Sequence, residues 1–282
     1  MNVVERRSGD EGGSGGDDGP ADSESKIQEM FAPKKTVQLR IRRYNPATDE
    51  EPHFDVFSVL SSESTTVLEA LLAVRESRDT TLQVRYSCRM ALCGSCGMLI
   101  DHLPRLACNT KVLALGRDVI TIEPLPNFPV VRDLVTDSSG LFAKHAAVAP
   151  YLTRRDAQEQ EDPSSEFEQS AEELEDFVQF SHCITCGLCV AACPTASTDE
   201  LFFGPQAIAQ AFRYNADSRD EGGRKRLDIL DTEHGAWRCH FAGSCSYVCP
   251  KGVDPALAIQ FMRRELVKNA FGKGLGGRRR GR

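Results

Sequence analysis

The sequence lacks the features of several common protein classes. No stretch of its 282 residues approaches 18 uninterrupted apolar positions, so we expect no segment that spans a bilayer. At the N-terminus no basic patch leads into an apolar segment, which argues against a secretory signal. Acidic side chains such as Asp17 and Asp18 argue against a mitochondrial transit peptide. We therefore expect a cytoplasmic chain of prokaryotic type.

Excess positive charge is also lacking. The formal net charge is −7, which argues against nucleic acid as the main partner. Residues 1–33 are rich in Gly, Ser and Asp and have little apolar surface to offset the entropy cost of ordering. We expect them to form a disordered tail. Residues 273–282 form a second, basic tail that is expected to be disordered and could touch anionic lipid head groups.

The first half of the chain has an α+β pattern. Val37, Leu39 and Ile41 alternate with polar residues, which predicts a half-buried strand, and residues 54–59 predict a second strand in a hairpin with it. A helix follows, opened by a capping box at residues 66–69. The residues from 118 to 126 predict a last strand ended by prolines.

The second half has helical patterns, with a predicted domain boundary near residue 132. Leu174, Phe177 and Val178 have helical spacing. Pro205 and Pro255 stand where a first helical turn tolerates proline. The sequence thus predicts a domain over residues 34–131 and an all-α domain over residues 132–272.

Eleven cysteines are many for a reducing compartment, where such thiols tend to be ligands or catalysts. The first group has Cys-x4-Cys-x2-Cys spacing and a distant fourth cysteine, which is the plant-type arrangement for a 2Fe–2S cluster. Gly94, Ser95 and Gly97 allow the backbone to approach such a cluster closely. The predicted ligands are Cys88, Cys93, Cys96 and Cys108.

The other seven cysteines form two runs of bacterial ferredoxin type. The first run has the spacing Cys-x2-Cys-x2-Cys-x3-Cys-Pro, and the second keeps this frame except that Ala242 stands where a cysteine is expected. In two-cluster proteins the fourth cysteine of a run ligates the other cluster. This rule predicts a 4Fe–4S site of Cys183, Cys186, Cys189 and Cys249, and a 3Fe–4S site of Cys193, Cys239 and Cys245.

A zinc-stabilised structural module is the alternative of a different class. A zinc ribbon needs two pairs of cysteines around one tetrahedral ion. Four thiols within the short segment 183–193, in a run that ends in Cys-Pro, fit that arrangement poorly.

The order of these regions resembles the iron–sulfur subunit of succinate dehydrogenase and fumarate reductase. This resemblance runs from about Val37 to Leu266. The segments that carry it are RYNPATDEEP (43–52), SCRMALCGSCGM (87–98), FGPQAIAQAFRYNADSRDE (203–221) and CSYVCPKGVDP (245–255).

The resemblance implies a β-grasp 2Fe–2S domain followed by a bacterial-ferredoxin-like domain. It implies a flavoprotein partner with FAD and the dicarboxylate site, a membrane anchor, and a position on the cytoplasmic face of the membrane. No catalytic residue for the dicarboxylate is expected in this chain. Electrons would pass from flavin through the 2Fe–2S and 4Fe–4S clusters to the 3Fe–4S cluster and then to quinone.

The resemblance also implies a quinone pocket against the 3Fe–4S site, near Pro194, Thr195, His240 and Arg263. No Trp follows Pro194, which is similar to fumarate reductases, whereas His240 is similar to the dehydrogenases. The direction of the reaction therefore stays open, with succinate oxidation as the main hypothesis and fumarate reduction as the alternative.

These residues also have simpler interpretations. His240 could bond backbone, and Arg263 could be a solvated helix residue. Trp237, the single tryptophan, is predicted to be a core residue rather than an electron relay.

Overall fold

The computed structural model describes residues 34–156, 158, 161 and 166–271. The predicted tails, 1–33 and 273–282, lie outside the described residues. Within the described part, no helix is long and apolar enough to cross a membrane.

The first region is built on a five-stranded sheet, in which the strands lie side by side in the order 53–61, 35–43, 119–123, 97–100 and 103–106. Strands β1 (Lys35–Arg43) and β2 (His53–Ser61) form the predicted antiparallel hairpin. Strand β5 (Val119–Glu123) pairs with β1 in parallel. A second hairpin, β3 (Gly97–Ile100) and β4 (Leu103–Leu106), joins the sheet through β5 and was not predicted.

One face of this sheet is covered by helix α1 (Val67–Ser77). The capping box is confirmed, because the Thr66 side chain accepts from the backbone N–H of Glu69 and the Glu69 carboxylate accepts from that of Thr66. Such a cap contributes about 1 kcal/mol. Leu68 and Leu71 of α1 pack with the inward side chains of β1 in one core. This mixed sheet with one covering helix is the predicted β-grasp arrangement.

The strand predicted as the last is followed by another small hairpin. β6 (Val130–Arg132) and β7 (Val135–Thr136) form a two-stranded sheet of their own. This hairpin spans the predicted boundary near residue 132, and the predicted helical region follows it from Ser139 onward. Asp133, with a φ of 47°, makes the turn, and its carboxylate accepts from Arg43 on β1 at 3.1 Å. This buried contact ties the hairpin to the sheet.

From residue 139 onward the described residues form helices connected by loops. Phe180, Phe202, Ile208 and Met262 are fully or almost fully buried in a second core. The helices are α2 (Ser139–Ala147), α3 (Ala171–Glu175), α4 (Val178–Ser181), α5 (Leu188–Ala191), α6 (Pro194–Thr198), α7 (Gly204–Ala216), α8 (Gly223–Leu230), α9 (Ser244–Tyr247) and α10 (Pro255–Ala270).

Helices α7 and α10 begin at the predicted prolines. Pro205 and Pro255 occupy the first turns, and the Asp254 carboxylate caps α10 by accepting from the backbone N–H of Leu257. The helical segment predicted around residues 174–178 is instead two short helices, α3 and α4, and Leu174 is exposed. The predicted domain boundary near residue 132 stays a prediction.

Candidate metal centres

The first cysteine group is assembled by the β3–β4 hairpin. Cys96 directly precedes β3, and Cys108 lies in the 3₁₀ helix Ala107–Asn109 that follows β4. Antiparallel pairing sets Gly97 opposite Leu106, and the N–H of Cys108 consequently lies 3.5 Å from the Cys96 sulfur. Cys88 and Cys93 come from the loop before β3, so all four predicted ligands meet at one end of the sheet.

Backbone N–H groups surround the sulfurs of this loop. Arg89 and Ala91 adopt positive φ angles of 58° and 57°, which turn the chain inward. The sulfur of Cys88 accepts from the N–H groups of Met90, Leu92 and Cys93 at 3.3–3.5 Å, and the Cys108 sulfur accepts from Ala91 at 3.3 Å. Donors aimed at sulfur stabilise negative charge, so the loop fits an anionic cluster.

Cys93 and Cys96, two members of this group, have different environments. Hydrogen bonds from the Ser95 side chain and from the backbone of Cys88 lower the pKa of Cys93 to about 6. Burial raises the pKa of Cys96 to about 12. A thiol so buried becomes a thiolate when a metal cation shares its site, which again fits the group.

The ferredoxin-type runs line two separate cavities. One cavity is lined by Cys183, Cys186, Cys189 and Cys249. The other is lined by Cys193, Cys239 and Cys245. The last cysteine of each run lies with the first cysteines of the other run, so the structure brings the cysteines together in the predicted sets.

The charges that act on Cys186 and on Cys245 come from the other cysteines of the same cavity. Burial, together with the charges of Cys183 and Cys249, raises the pKa of Cys186 to about 11. Burial also raises the pKa of Cys245 to about 11, and there the neighbouring charges are those of Cys193 and Cys239. Thiolates crowded in this way need compensating cations, so both cavities fit iron–sulfur clusters.

Within the described residues, no three His, Cys, Asp or Glu side chains meet around a point that could hold one metal ion. The cysteines of the two ferredoxin-type runs line cavities.

The two runs have the same backbone geometry. Thr185 and Phe241 have φ angles of 53° and 56°, and Gly187 and Gly243 have φ angles of 78° and 75°. The N–H of Thr185 lies 3.4 Å from the Cys183 sulfur, and the N–H of Phe241 lies 3.3 Å from the Cys239 sulfur. A four-residue helix, α5 or α9, follows each glycine. Ala242 therefore stands in a backbone position equivalent to that of Cys186.

Direct packing joins the first cysteine loop to the first ferredoxin run. Gly94 has a φ of 74°, and a Cβ built on it would lie 2.7 Å from the Cβ of Cys186. Real Cβ atoms do not approach so closely, so glycine is required here for contact as well as for backbone conformation. The two N–H groups on Nδ2 of Asn127 are shared among the carbonyl oxygens of Val190, Ala191 and Cys193, which lie 2.8–3.3 Å from that nitrogen.

The four residues predicted on the quinone side differ in burial and in their contacts. Pro194 and Thr195 line the three-cysteine cavity, and Thr195 is buried. His240 is exposed. The guanidinium of Arg263 donates to the carbonyl oxygens of Ala236, Trp237 and Cys239. Arg263 thus supports the Cys239 loop, and the interpretation as a solvated residue is wrong.

The prediction of Trp237 as a core residue is also wrong. The side chain is 45% exposed, and its indole N–H donates to Asp231 at 2.7 Å. Sequence reasoning missed two side chains at the sites: Asn127, which bonds the carbonyl oxygen of Cys193, and Gln206, which lines the four-cysteine cavity. Cysteine spacing carries no information about them, because both reach the sites from other elements.

The sequence matches two family models. One is the 2Fe-2S iron-sulfur cluster binding domain, over residues 38–143, and the other is the 4Fe-4S dicluster domain, over residues 179–253. These matches leave the zinc-module alternative without support.

Curated relatives match across most of the chain. The fumarate reductase iron-sulfur subunits of Mycobacterium tuberculosis and Haemophilus influenzae are 44% and 42% identical, over 84% and 85% of this chain and 95% and 96% of theirs. The succinate dehydrogenase iron-sulfur subunit of Paracoccus denitrificans is 36% identical over 88% of this chain and 96% of its own.

A chain of the Mycobacterium smegmatis Sdh1 complex in the apo form has a similar structure. Its TM-score is 0.76, with 26% identity, and the match covers 85% of this chain and 98% of that chain. The extent of these matches, together with the three cysteine groups, identifies the chain as a member of the family of iron–sulfur subunits of succinate dehydrogenase and fumarate reductase.

Proposed function

We propose that this chain is the electron-transfer subunit of a membrane-bound succinate:quinone oxidoreductase. It would link the FAD of a flavoprotein subunit to membrane quinone. The observation that carries this proposal is the arrangement of the eleven cysteines in three adjoining groups, with the first loop packed directly on Cys186.

Each cysteine group would hold one cluster. Cys88, Cys93, Cys96 and Cys108 would hold 2Fe–2S, Cys183, Cys186, Cys189 and Cys249 would hold 4Fe–4S, and Cys193, Cys239 and Cys245 would hold 3Fe–4S. When bound, these clusters supply sites that accept and release one electron at a time.

The residues of the chain set the conditions for that transfer. Backbone N–H groups around Cys88 and Cys108 offset the negative charge of the thiolates. Gly94 allows the first loop to lie against Cys186, which keeps the adjoining sites close together. Cys245 is buried in the wall of the three-cysteine cavity, away from bulk water.

Exposed apolar side chains indicate where partners would bind. Met90 and Leu92, 66% and 56% exposed, lie on the outside of the first cysteine loop, where we infer the flavoprotein docks. Phe241 and Tyr247, 57% and 79% exposed, flank the three-cysteine site. We infer that the membrane anchor and quinone lie on this second side, near Pro194, Thr195, His240 and Arg263, on the cytoplasmic face of the membrane.

Succinate oxidation is the proposed direction, and fumarate reduction is the second candidate. The higher identity of the two fumarate reductase subunits named above, 42–44% against 36%, favours the second candidate. Measuring succinate oxidation and fumarate reduction in membranes, together with identification of the quinone, separates the two.

Iron content is the first test of the proposal. The anaerobically prepared complex should hold about nine iron atoms in this subunit, as one 2Fe–2S, one 4Fe–4S and one 3Fe–4S cluster require. Electron paramagnetic resonance should show a 3Fe signal in the oxidised sample. Absence of that signal from intact complex contradicts the assignment.

A second test separates the flavin side from the quinone side. In the Cys93→Ala variant, the two interior cavities should keep their clusters, because Cys93 is exposed and lies outside both cavities. Succinate oxidation with an artificial acceptor that takes electrons from flavin should continue, while quinone reduction should stop. Loss of both activities in a complex that retains its flavin would contradict the placement of this site on the flavin side.

A further inference from the structure

A buried glutamine amide reaches the four-cysteine cavity from helix α7. Gln206 is 2% exposed and lines the cavity with Cys183 and Cys249. Its neighbour Pro205 fixes the start of the helix, so the side chain projects from the first turn. Burying an amide that has an atom without a hydrogen-bond partner lowers the stability of the fold, so the position of this side chain needs a physical reason.

The two polar atoms of the Gln206 amide differ in their contacts. Nε2 of Gln206 lies 3.1 Å from Nδ1 of His145 and 4.0 Å from the sulfur of Cys183. Oε1 is buried and has no hydrogen-bond partner among the described residues. Both contacts are therefore made by the N–H donor side of the amide, one to an imidazole nitrogen and one toward a cysteine sulfur.

Charge favours this orientation over the flipped one. A carboxamide oxygen turned toward the Cys183 sulfur would face a thiolate, and the two partial negative charges would repel. With the NH₂ group in that place, one hydrogen is directed at Nδ1 of His145 and the other points toward the sulfur, 4.0 Å from the nitrogen.

His145 is suited to hold the amide in this orientation. Its Nδ1 must accept, so its ring proton lies on Nε2. Burial lowers the pKa of His145, which keeps the ring neutral at pH 7 and its acceptor available. His145 comes from the last turn of α2, on a different element from Gln206.

We propose that Gln206 sets the redox potential of the cluster bound in the four-cysteine cavity by donating an N–H to the sulfur of Cys183, and that His145 is the positioning residue for its amide. The inference depends on the proposed 4Fe–4S site. Reduction adds negative charge that spreads over the cluster and its sulfurs, so an N–H donor stabilises the reduced form and raises the potential. The low dielectric of the buried site strengthens this effect.

The test is a redox titration of the complex monitored by electron paramagnetic resonance. Gln206→Leu removes the donor with little change of volume. It should lower the equilibrium constant for reducing the 4Fe–4S cluster about tenfold, which is about 59 mV for one electron. Gln206→Glu replaces the donor by a carboxylate and should lower the potential further. The redox potential should therefore be highest with Gln206, lower with Leu and lowest with Glu. This order is not expected if residue 206 only fills space in the core.

Gln210 offers a matched control one turn along the same helix. It is 8% exposed, and its amide donates to the carbonyl oxygen of Phe180 at 2.9 Å, away from the residues that line the cavity. Gln210→Leu removes a buried amide of the same kind and should leave the potential unchanged. An equal shift in Gln206→Leu and Gln210→Leu overturns the proposal.

The role of His145 is tested by His145→Leu, alone and with Gln206→Leu. The single variant should lower the potential by less than Gln206→Leu, because the freed amide still visits the sulfur. The double variant should shift no further than Gln206→Leu alone, since both act through one hydrogen bond. Additive shifts overturn the positioning role.

If Gln206→Leu fails to assemble its cluster, the same titration is carried out with Gln206→Glu and His145→Leu, and unchanged potentials in both overturn the inference. A wild-type complex with no 4Fe–4S signal instead overturns the cluster assignment, and the inference with it. A wild-type 4Fe–4S signal with unshifted variants leaves the proposed function intact and rejects the role of Gln206.

Discussion

The two ferredoxin-type runs, residues 183–194 and 239–250, have the same backbone path and different surroundings. Each begins with a cysteine whose sulfur accepts from the N–H two residues later, turns at a glycine with positive φ, and continues into a four-residue helix. The first run has Cys186 at a position where the second has Ala242. One backbone frame can therefore serve two sites, and a single side chain changes the number of thiolates that it offers.

The surroundings differ more than the frames do. Leu188 and Ala191 of α5 are buried in the core beneath the sheet, and Gly187 lies against Phe128. In the second run, Phe241 and Tyr247 are exposed, and a Cβ on Gly243 would meet nothing within 4 Å. The first run is thus enclosed by the protein, whereas the second is open on the side where we infer that partners bind.

Ala242→Cys removes the chemical difference between the runs and has the largest expected effect. Because the backbone already follows the path of the first run, the added thiolate should recruit a fourth iron. The spectra should lose the 3Fe signal and gain a second 4Fe signal. The added negative charge should lower the potential, and each tenfold fall in the reduction equilibrium constant is about 59 mV for one electron. Quinone reduction by succinate should slow.

Ala242→Ser is the matched control, since it adds a small polar atom without a thiolate. It should keep the 3Fe signal and nearly normal turnover. An Ala242→Cys protein that folds, keeps its 3Fe signal and oxidises succinate normally would show that geometry, rather than the missing thiol, fixes the cluster type.

Alanine at the two turn glycines measures the difference in surroundings. Both glycines have positive φ, which costs another residue roughly 1–2 kcal/mol. At Gly187 a Cβ would also lie 2.9 Å from the Phe128 ring, and such overpacking adds typically about 1–3 kcal/mol. Gly187→Ala should therefore lower the temperature at which the visible cluster absorbance is lost by more than Gly243→Ala does. Equal shifts contradict the inference that only the first run is enclosed.

The smallest expected difference concerns two side chains that bind backbone carbonyls beside the three-cysteine site. Asn127 bonds the carbonyl oxygen of Cys193 and Arg263 bonds that of Cys239. Hydrogen bonds from a charged donor contribute about 1.5–3 kcal/mol, against about 0.5–1.5 for a neutral one. Arg263→Ala should therefore reduce the 3Fe signal more than Asn127→Ala does, when both are measured after mild heating.

Arg263→Ala also tests the quinone-side prediction. Slowed quinone turnover with a full 3Fe signal and normal flavin-linked activity supports a role toward quinone. Activity that falls in proportion to the 3Fe signal supports the structural role alone. Arg263→Lys keeps the charge but loses the planar fork, so it should restore little of the carbonyl bonding.

Much of the fold was predictable where the signal is local. The alternation that marks β1, the cap of α1 and the starts of α7 and α10 depend on residues a few positions apart, such as Thr66 with Glu69. The β3–β4 hairpin was missed because each strand has only four residues and Pro104 lies inside the second, where proline argues against a strand. Trp237 was misplaced because size and apolarity do not reveal that its indole N–H bonds an exposed aspartate.

The sequence alone determined the chemistry of the sites. Cluster ligation requires thiolates at short, fixed separations along a loop, so the spacing of the eleven cysteines and the substitution at Ala242 carry that information directly. Tertiary structure alone decided what surrounds those thiolates: Gly94 against Cys186, Gln206 beside Cys183, and Arg263 on the carbonyl oxygen of Cys239. Each of these contacts joins residues more than twenty positions apart. They arise from the packing of whole helices and loops, which no local pattern encodes.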